Sequence, residues 1–322
     1  MGAPETSVRS RSSWRAVVAL LCVTVVWGGT FVWMKQGLSA VERAVGAGHE
    51  TLGVALFMVL RFGIAALCMA VFVPSARTGA TRDAWRGGFW IGALLFVGFA
   101  LQMLGLTEVT PAVSAFLTSL YVLFTAVLTA SMERRGPSLA LFVGVLLATV
   151  GAGFIRGRPE LSFNVGEWLT VGCAVLFALH ILATDRITKR VAPMPVTLTS
   201  FVWVTIGGAL LIGTALLSGP PVDAGKLLGL MAESDFMLPV VLSSVLATVL
   251  ALSLMNVYQR QLDPVRAAVL YAIEPIWAAL FGIWYGTDAF TPYLWLGGTL
   301  LLAGNLVAEL GQRRRLRDVA QA

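Results

Sequence analysis

Charged residues are scarce in this sequence. Of its 322 residues, 12% are charged and 57% are hydrophobic, and the mean hydropathy is +0.83. Soluble globular proteins carry about 25% charged residues. The shortage of charge excludes an ordinary soluble domain and a disordered chain, because both need far more polar surface. The sequence therefore predicts an integral membrane protein.

Cysteine and several catalytic motifs are also rare or missing. Cys22, Cys68 and Cys173 lie in apolar stretches with no Cys-x-x-Cys spacing, so neither a disulfide framework nor a metal site is expected. The lack of a Gly-x-x-x-x-Gly-Lys-[Ser/Thr] loop argues against ATP hydrolysis, and His-Glu-x-x-His and Gly-x-Ser-x-Gly are missing too. The sequence contains no repeat of the kind that forms the selectivity filter of an ion channel, so a channel is not suggested. We expect no cofactor and no enzymatic activity.

Long apolar stretches dominate what is present. A bilayer core needs about 20 mostly apolar residues per helix. Ten windows meet this requirement: 16–37, 52–73, 87–106, 110–131, 138–156, 166–185, 196–218, 237–258, 265–285 and 291–310. The fold class expected is an all-α integral membrane domain of ten transmembrane helices.

The net charge of +6 follows a topological pattern. Most of the basic residues lie in the two tails and in alternate connections, and cytoplasmic loops are enriched in Lys and Arg. This pattern predicts a multi-pass protein of the cell membrane with both termini cytoplasmic, so nucleic acid is not an expected partner. The residues concerned are Arg9, Arg11, Arg15, Arg77, Arg82, Arg86, Arg134, Arg135, Arg186, Lys189, Arg190, Arg260, Arg266, Arg313, Arg314, Arg315 and Arg317.

An internal repeat appears when the chain is aligned with itself at an offset of 153 residues. Small and apolar residues then coincide in the paired helices, for example Gly144 with Gly297 and Gly151 with Gly304. Five helices per copy put the second copy into the membrane from the opposite side, an architecture typical of secondary transporters. We predict two inverted five-helix repeats, 16–156 and 166–310, between a cytoplasmic tail at 1–15 and a basic tail at 311–322.

Motifs along both copies carry a family resemblance. They are Trp27-Gly28-Gly29-Thr30-Phe31, Leu60-Arg61-Phe62, an Ala115-to-Leu128 helix followed by Glu133-Arg134-Arg135, and Glu274-Pro275-Ile276-Trp277 followed by Gly297, Leu300 and Gly304. In order and spacing the chain resembles the EamA-type permeases of the drug/metabolite transporter superfamily. This resemblance implies a permease that moves small metabolites, often amino acids or related compounds, outward. One departure is Val122, where the family often has a proline and where the second copy has Pro275.

Two charged residues lie near the middle of predicted helices, Arg61 in the second and Glu274 in the ninth. Charge is costly in hydrocarbon, so such residues mark a pathway or an internal pair. The two could pair with each other and lock the halves together, or each could bind one end of a zwitterionic substrate. Pro275 removes a backbone donor beside Glu274, so Glu274 could also take a proton or a cation. A proline kink that serves packing is the alternative.

Neutral polar and aromatic side chains at similar depth are weaker candidates for the wall of a substrate site. They could equally serve helix packing or anchor the helices at the interface. These candidates are Trp27, Gln102, Ser119, Tyr121, Tyr271 and Trp277. His180 lacks a partner at metal-ligand spacing, so we interpret it as a packing residue.

The function predicted is secondary transport of a small molecule by alternating access, in the direction of export. Glu274 is the candidate coupling residue if protons drive transport, and a homodimer is a further possibility. The alternatives are a flippase for a lipid-linked head group and an exporter of multiple cationic compounds.

Overall fold

The computed structural model describes residues 5–132, 139–154, 163–262, 267 and 270–321. Every regular element in this described part is helical. The α-helices are α1 (Glu5–Val45), α2 (Glu50–Phe72), α3 (Pro74–Thr78), α4 (Arg82–Glu108), α5 (Pro111–Thr118), α6 (Tyr121–Met132), α7 (Leu139–Phe154), α8 (Val165–Thr188), α9 (Pro193–Ser218), α10 (Ala224–Leu230), α11 (Ser234–Leu242), α12 (Ala251–Tyr258), α13 (Glu274–Trp284) and α14 (Pro292–Gln321). A π-helical segment, Ser243–Leu250, joins α11 to α12, and a 3₁₀ turn, Gln259–Gln261, follows α12.

Seven helical segments in the described part are long and apolar enough to cross a membrane. They are Trp14–Val45, Glu50–Phe72, Arg82–Glu108, Pro111–Met132, Val165–Thr188, Pro193–Ser218 and Ser234–Gln261. The all-helical prediction is thus confirmed, and seven of the ten predicted spans have a helix of sufficient length. The predicted spans 138–156, 265–285 and 291–310 stay predictions, since the first and last contain shorter apolar helices and 265–285 includes residues outside the described part.

Several residues used in the sequence analysis lie outside the described part of the chain. They are Glu133, Arg134, Arg135, Arg266 and the segment 155–162.

The fourth predicted span is broken at Ser119–Leu120, between α5 and α6. The Ser119 hydroxyl donates to the Phe116 carbonyl at 2.6 Å, and the Leu120 amide turns back to Leu117 at 3.1 Å. A serine hydroxyl that bonds its own backbone competes with the helical ladder. Nδ2 of Asn305 in α14 donates to the Ser119 carbonyl at 3.0 Å, so the interruption is stabilised from the second half of the chain.

The ninth predicted span is broken at the equivalent place. Ala272 and Ile273 form a turn, and α13 begins at Glu274. Pro275 lies in the first turn of α13, where a missing N–H costs least. With the offset of 153, Ser119–Leu120 and Ala272–Ile273 are the same repeat positions. The first half therefore breaks where the second does, although Val122 replaces the proline.

Glycines bring α7 and α14 into close antiparallel contact. A Cβ atom on Gly144 would lie 2.6 Å from the Gly304 carbonyl oxygen, and one on Gly151 would lie 2.6 Å from the Gly297 carbonyl oxygen. Small residues let backbones approach closely in membranes, where lipid offers no hydrophobic drive for helix association. Gly144 thus meets the repeat equivalent of Gly151, and Gly151 meets the repeat equivalent of Gly144, as a two-fold relation between the halves requires.

Helix α4 packs against two helices of the second half, α8 and α9. A Cβ atom on Gly105 would lie 2.6 Å from the Gly166 carbonyl oxygen in α8, and one on Gly92 would lie 2.8 Å from the Ser200 carbonyl oxygen in α9. Helix α1 packs against α13, and α2 packs against α9. The halves (α1–α7 and α8–α14) are thus interleaved, and the space between them is lined from both.

Candidate functional site

A cavity of about 70 Å³ lies between the two halves. Small-molecule sites often lie between the helices of a bundle. Six of the eight side chains predicted for a substrate site line it: Trp27, Arg61, Gln102, Tyr121, Tyr271 and Glu274. Much of the remaining wall is aromatic or aliphatic, including Phe31, Phe99 and Phe177.

The cavity wall follows the internal repeat. Five pairs of lining residues are separated by the repeat offset of 153: Trp27 and His180, Phe99 and Leu252, Gln102 and Met255, Thr118 and Tyr271, and Tyr121 and Glu274. Each pair puts one residue of the first half opposite its equivalent in the second half. The cavity therefore lies on the axis that relates the two repeats.

Arg61 in α2 is buried, with 1% of its surface exposed. Its Nε donates to the Thr248 hydroxyl at 2.7 Å, and its Nη1 lies 3.5 Å from the Met34 sulfur. The guanidinium carbon lies 4.5 Å from the centre of the Phe99 ring and 5.2 Å from that of Phe62, so both rings contribute cation–π attraction. Nη2 is buried and makes no hydrogen bond. Arg61 thus keeps an unused donor at the cavity.

The acceptor for Arg61 is provided by the π-helical segment. The Thr248 hydroxyl donates to the Ser243 carbonyl five residues earlier, at 2.8 Å, so one oxygen serves both bonds. The Ala247 carbonyl in the same segment accepts a hydrogen bond from Trp27 Nε1 at 3.1 Å. Single π-helical turns occur frequently at functional sites. Here the turn in the second half holds two cavity residues of the first half.

Glu274 begins α13 and is 8% exposed. The first turn of a helix favours a carboxylate, because its free amides carry partial positive charge. The Tyr121 hydroxyl faces this carboxylate. It does so without the geometry of a full hydrogen bond, so the buried hydroxyl keeps unused bonding capacity. Glu274 and Tyr121 thus form a polar pair across the repeat axis.

Arg61 and Glu274 share the cavity but form no ion pair with each other. The ion pairs among the described residues are Arg43 with Asp235 at 3.4 Å and Lys189 with Asp185 at 2.7 Å. Of the alternatives given by the sequence, the internal salt bridge is therefore not present in this conformation. Two buried groups of opposite charge instead face one cavity and remain apart.

The other polar lining residues are bonded into the surrounding helices. Gln102 Nε2 donates to the Thr118 hydroxyl at 3.2 Å, and this hydroxyl lies 3.6 Å from the Cys173 sulfur. The Tyr271 hydroxyl donates to Gln259 Oε1 at 3.2 Å. These bonds fix the orientation of the Gln102 amide and of the Tyr271 ring, so both side chains form a rigid part of the cavity wall.

Two of the predicted site residues do not line the cavity. The Ser119 hydroxyl and carbonyl are engaged at the helix break, where Asn305 Nδ2 lies 3.1 Å from the hydroxyl oxygen. Trp277 lies where α1 crosses α13, and a Cβ atom on Gly28 would come within 2.5 Å of its Cβ. Sequence depth alone could not separate these residues from cavity residues, since depth does not tell which helix face points inward.

The cavity also holds residues that sequence reasoning missed. His180, interpreted above as a packing residue, lines the wall, and its Nε2 lies 3.4 Å from the Thr184 hydroxyl. The offset of 153 would have found it, because it is the repeat equivalent of Trp27. Thr248 carries no such signal, since its role depends on the π-helical turn.

The polar groups of the site suit recognition of a charged solute. A donor of Arg61 and an acceptor of Glu274 lie in a largely apolar wall, which strengthens their interaction with a ligand. Within the described part of the chain, no three His, Cys, Asp or Glu residues are grouped to hold a metal ion.

Comparison with known proteins gives consistent results. The model of the EamA-like transporter family matches twice, over residues 14–157 and 164–309. The chain is similar to an uncharacterized transporter of Archaeoglobus fulgidus, with 26% identity over 295 residues, which covers 92% of this chain and 86% of the relative. A solved crystal structure matches with a TM-score of 0.58 and 21% identity, covering 91% of this chain and 98% of the other, which supports the fold.

Proposed function

Because this chain belongs to the EamA-like transporter family, we propose that its cavity is the substrate site of a secondary transporter for small zwitterionic metabolites, such as amino acids or related compounds. Transport proceeds by alternating access and in the direction of export. Arg61 binds the carboxylate of the substrate, and Glu274 binds its ammonium group.

The observation that carries the proposal is the separation of the two buried charges. Arg61 retains a buried Nη2 without a hydrogen-bond partner, and Glu274 faces the same cavity without a cationic partner among the described residues. An isolated charge in a low-dielectric site is costly. A zwitterion offers each group a partner of opposite sign and so offsets both costs at once.

The apolar wall supports a substrate with an apolar portion. Trp27 and Tyr271 approach each other from opposite halves with ring centres 5.6 Å apart, and Phe99 lies 5.2 Å from Phe177. Such rings bury apolar surface and constrain its shape. The combination of two charged groups and an aromatic wall favours amino acids with apolar side chains.

The repeat relation supports alternating access. In transporters with inverted repeats, the substrate site lies where the repeats meet, and discontinuous helices surround it. Here the two interrupted helices place Tyr121 and Glu274 at the cavity. Exchange of the conformations of the two halves would expose this cavity to each side in turn.

The test is transport by the purified protein in proteoliposomes. A pool of amino acids identifies a transported zwitterion, and its amide (a cation) and its N-acetyl derivative (an anion) are then compared with it. We expect Arg61→Gln to reduce transport of the zwitterion by about 10- to 100-fold, as for loss of a hydrogen bond to a charged group, and to leave the amide less affected. Glu274→Gln should reduce transport of the zwitterion similarly and spare the N-acetyl derivative.

Arg43→Gln and Glu233→Gln are matched controls. Both side chains are exposed, and the two substitutions remove the same charges as the cavity variants do. Equal losses for all three ligands in both cavity variants would contradict the assigned roles. Transport of the cation alone, unaffected by Arg61→Gln, would favour an exporter of cationic compounds instead. Movement of a lipid-linked head group with no transport of soluble solutes would favour a flippase.

Proton coupling at Glu274 is a separate part of the proposal. Its support is the position of the carboxylate in the cavity wall at a helix break. Glu274→Gln should abolish transport driven by a pH gradient, while exchange of the N-acetyl derivative, which this variant still transports, continues. Unchanged pH-driven flux in this variant would remove Glu274 from the coupling mechanism.

A further inference from the structure

A side-chain to backbone contact joins α1 to the end of α4, near the cavity. Lys35 in α1 donates from Nζ to three carbonyls at the end of α4: Leu106 at 2.7 Å, Thr107 at 3.0 Å and Val109 at 3.2 Å. The last carbonyls of a helix lack intrahelical partners and attract cations. An ammonium has three donors, so Lys35 uses all of them here. Leu106 lies one helical turn beyond the cavity residue Gln102.

The turn between α4 and α5 is also held from the second half of the chain. Asp288, in the link between α13 and α14, accepts a hydrogen bond from the Ala112 amide at the beginning of α5, with Oδ2 at 3.2 Å. A carboxylate at a helix start is favourable for the same electrostatic reason. The turn between α4 and α5 is therefore fixed by α1 on one side and by the second half on the other.

The repeat places an equivalent contact at the opposite end. With the offset of 153, Lys35 corresponds to Thr188 and Thr107 corresponds to Arg260. Arg260 Nη1 donates to the Thr188 carbonyl at 3.2 Å. The same two positions thus meet in both repeats, but the cation lies on the first helix of one repeat and on the third helix of the other.

This second contact also adjoins the cavity. Gln259, next to Arg260, donates from Nε2 to the carbonyl of the lining residue Ile181 at 3.3 Å. Its Oε1 accepts from the hydroxyl of Tyr271, another lining residue. Arg260 is therefore adjacent in the chain to a side chain that bonds two residues of the cavity wall.

From these paired contacts we propose that Lys35 with the Thr107 carbonyl, and Arg260 with the Thr188 carbonyl, are the two gates of the transport cycle and open alternately. The inference rests on the proposed alternating-access function and adds the residues that control it. Lys35 makes three bonds, as short as 2.7 Å, and Arg260 makes one at 3.2 Å. The conformation described is thus held more firmly at the Lys35 end.

The test measures access to the cavity without any substrate. Thr30→Cys places a thiol in the cavity wall, in a parent that carries Cys22→Ser and Cys68→Ser and keeps the buried Cys173. A membrane-impermeant maleimide is added to either face of sealed vesicles, and the labelling rate is measured. In separate variants, Ala47→Cys marks the face at the Lys35 end and Thr78→Cys marks the other face, since both positions are exposed.

We expect Lys35→Met to raise labelling of the cavity thiol from the Lys35 face and to lower it from the other face. A rise of about tenfold corresponds to a bias of about 1.4 kcal/mol between the two states. Arg260→Gln should give the opposite pattern with a smaller change. Lys226→Met and Arg190→Gln remove exposed cations at the same respective ends and should leave both rates unchanged.

Lys35→Arg keeps a cationic donor and should behave like the parent, which separates loss of the gate from loss of fold. If Lys35→Met does not yield folded protein, Asp288→Asn loosens the same turn and should raise labelling from the same face. The proposal that these contacts are gates is refuted if the labelling rates stay unchanged in Lys35→Met and Arg260→Gln. It is also refuted if both variants change the labelling rates in the same direction. Because no substrate is used, failure to transport zwitterions would refute the proposed function and leave this result standing.

Discussion

Helix α6 in the first repeat begins at Tyr121, and its equivalent α13 in the second repeat begins at Glu274. Both starts follow a two-residue break and point the side chain toward one cavity. The backbone events are alike, but their causes differ, since a serine hydroxyl competes for the ladder in one repeat and a proline lacks a donor in the other. The shared backbone geometry therefore does not depend on a shared residue.

The side chains at equivalent positions around the cavity differ in chemistry, although the backbone is alike. At equivalent positions around the cavity, Gln102 lies opposite Met255, and Tyr121 lies opposite Glu274. Arg61 has no cationic equivalent, because α9, the corresponding helix of the second half, contains no Lys or Arg. A two-fold backbone thus encloses a chemically one-sided site, as binding of an asymmetric small molecule requires.

The largest expected effect on transport concerns Glu274 and Tyr121, the pair that faces each other across the repeat axis. Glu274→Gln should lower transport by about 100-fold and Tyr121→Phe by about threefold, because Glu274 pairs with the charged ammonium group of the substrate, whereas the Tyr121 hydroxyl faces the carboxylate without the geometry of a full hydrogen bond. Initial uptake rates of the transported zwitterion in proteoliposomes provide the measurement. Equal losses in the two variants would mean that the two repeats contribute alike, against the one-sided site.

A second comparison uses the contact between α7 and α14, which the repeat axis maps onto itself. Gly151→Leu and Gly304→Leu should each lower the free energy of unfolding by about 3 kcal/mol, because overpacking forces the backbones apart. Added Cβ atoms would lie 2.5 Å from the Leu301 amide nitrogen and 2.6 Å from that of Ala148, respectively. Thermal unfolding in detergent measures the change.

Gly213→Leu in α9 is the control for these glycine variants, since nothing lies within 4 Å of a Cβ atom there. A small effect in the control and similar losses in the other two would support the two-fold contact. A loss at Gly151 with none at Gly304 would contradict it.

The smallest expected effect concerns Asp288, which lies outside the membrane-spanning helices. Burial raises the pKa of its carboxyl above the ordinary value of 3.8, against the opposing effects of Thr110, Ala112 and Lys35. The folded protein therefore binds this proton more tightly than the unfolded chain, so the contribution of Asp288 to stability grows as the pH falls through the raised pKa. Asp288→Asn should remove this pH dependence.

The measurement is the melting temperature of wild type and Asp288→Asn between neutral and mildly acidic pH. Relative to the variant, wild type should gain stability as the pH falls. A relative loss of wild-type stability over this interval would show that the ionised carboxylate is the favoured form, against the direction given by burial.

Much of the site could be predicted from polarity and depth. Arg61 and Glu274 were identifiable because charge in an apolar helix is costly, and the cavity does contain both. Ser119 and Trp277 have similar depth but lie at a helix break and at a helix crossing. Depth follows from the position in the chain, whereas the face that points inward depends on the neighbouring helices.

The offset of 153 was also visible in the sequence, but its consequences for Lys35 and Arg260 were not. The two residues are not equivalent to each other, and each bonds to a backbone carbonyl that carries no sequence signal. A pattern of side chains cannot show a contact in which one partner is main chain.

By itself, the sequence determined that the chain is helical, lies in a membrane and belongs to the EamA-like transporters. The length of an apolar stretch and its repetition can be read from the sequence of each segment, so they can be recognised without knowing which segments pack together. Only the tertiary structure decided that Arg61 and Glu274 remain apart, that a π-helical segment supplies Thr248, and that Lys35 and Arg260 bond backbone carbonyls of neighbouring helices. These features depend on where two distant segments meet, and packing of the interleaved halves fixes that.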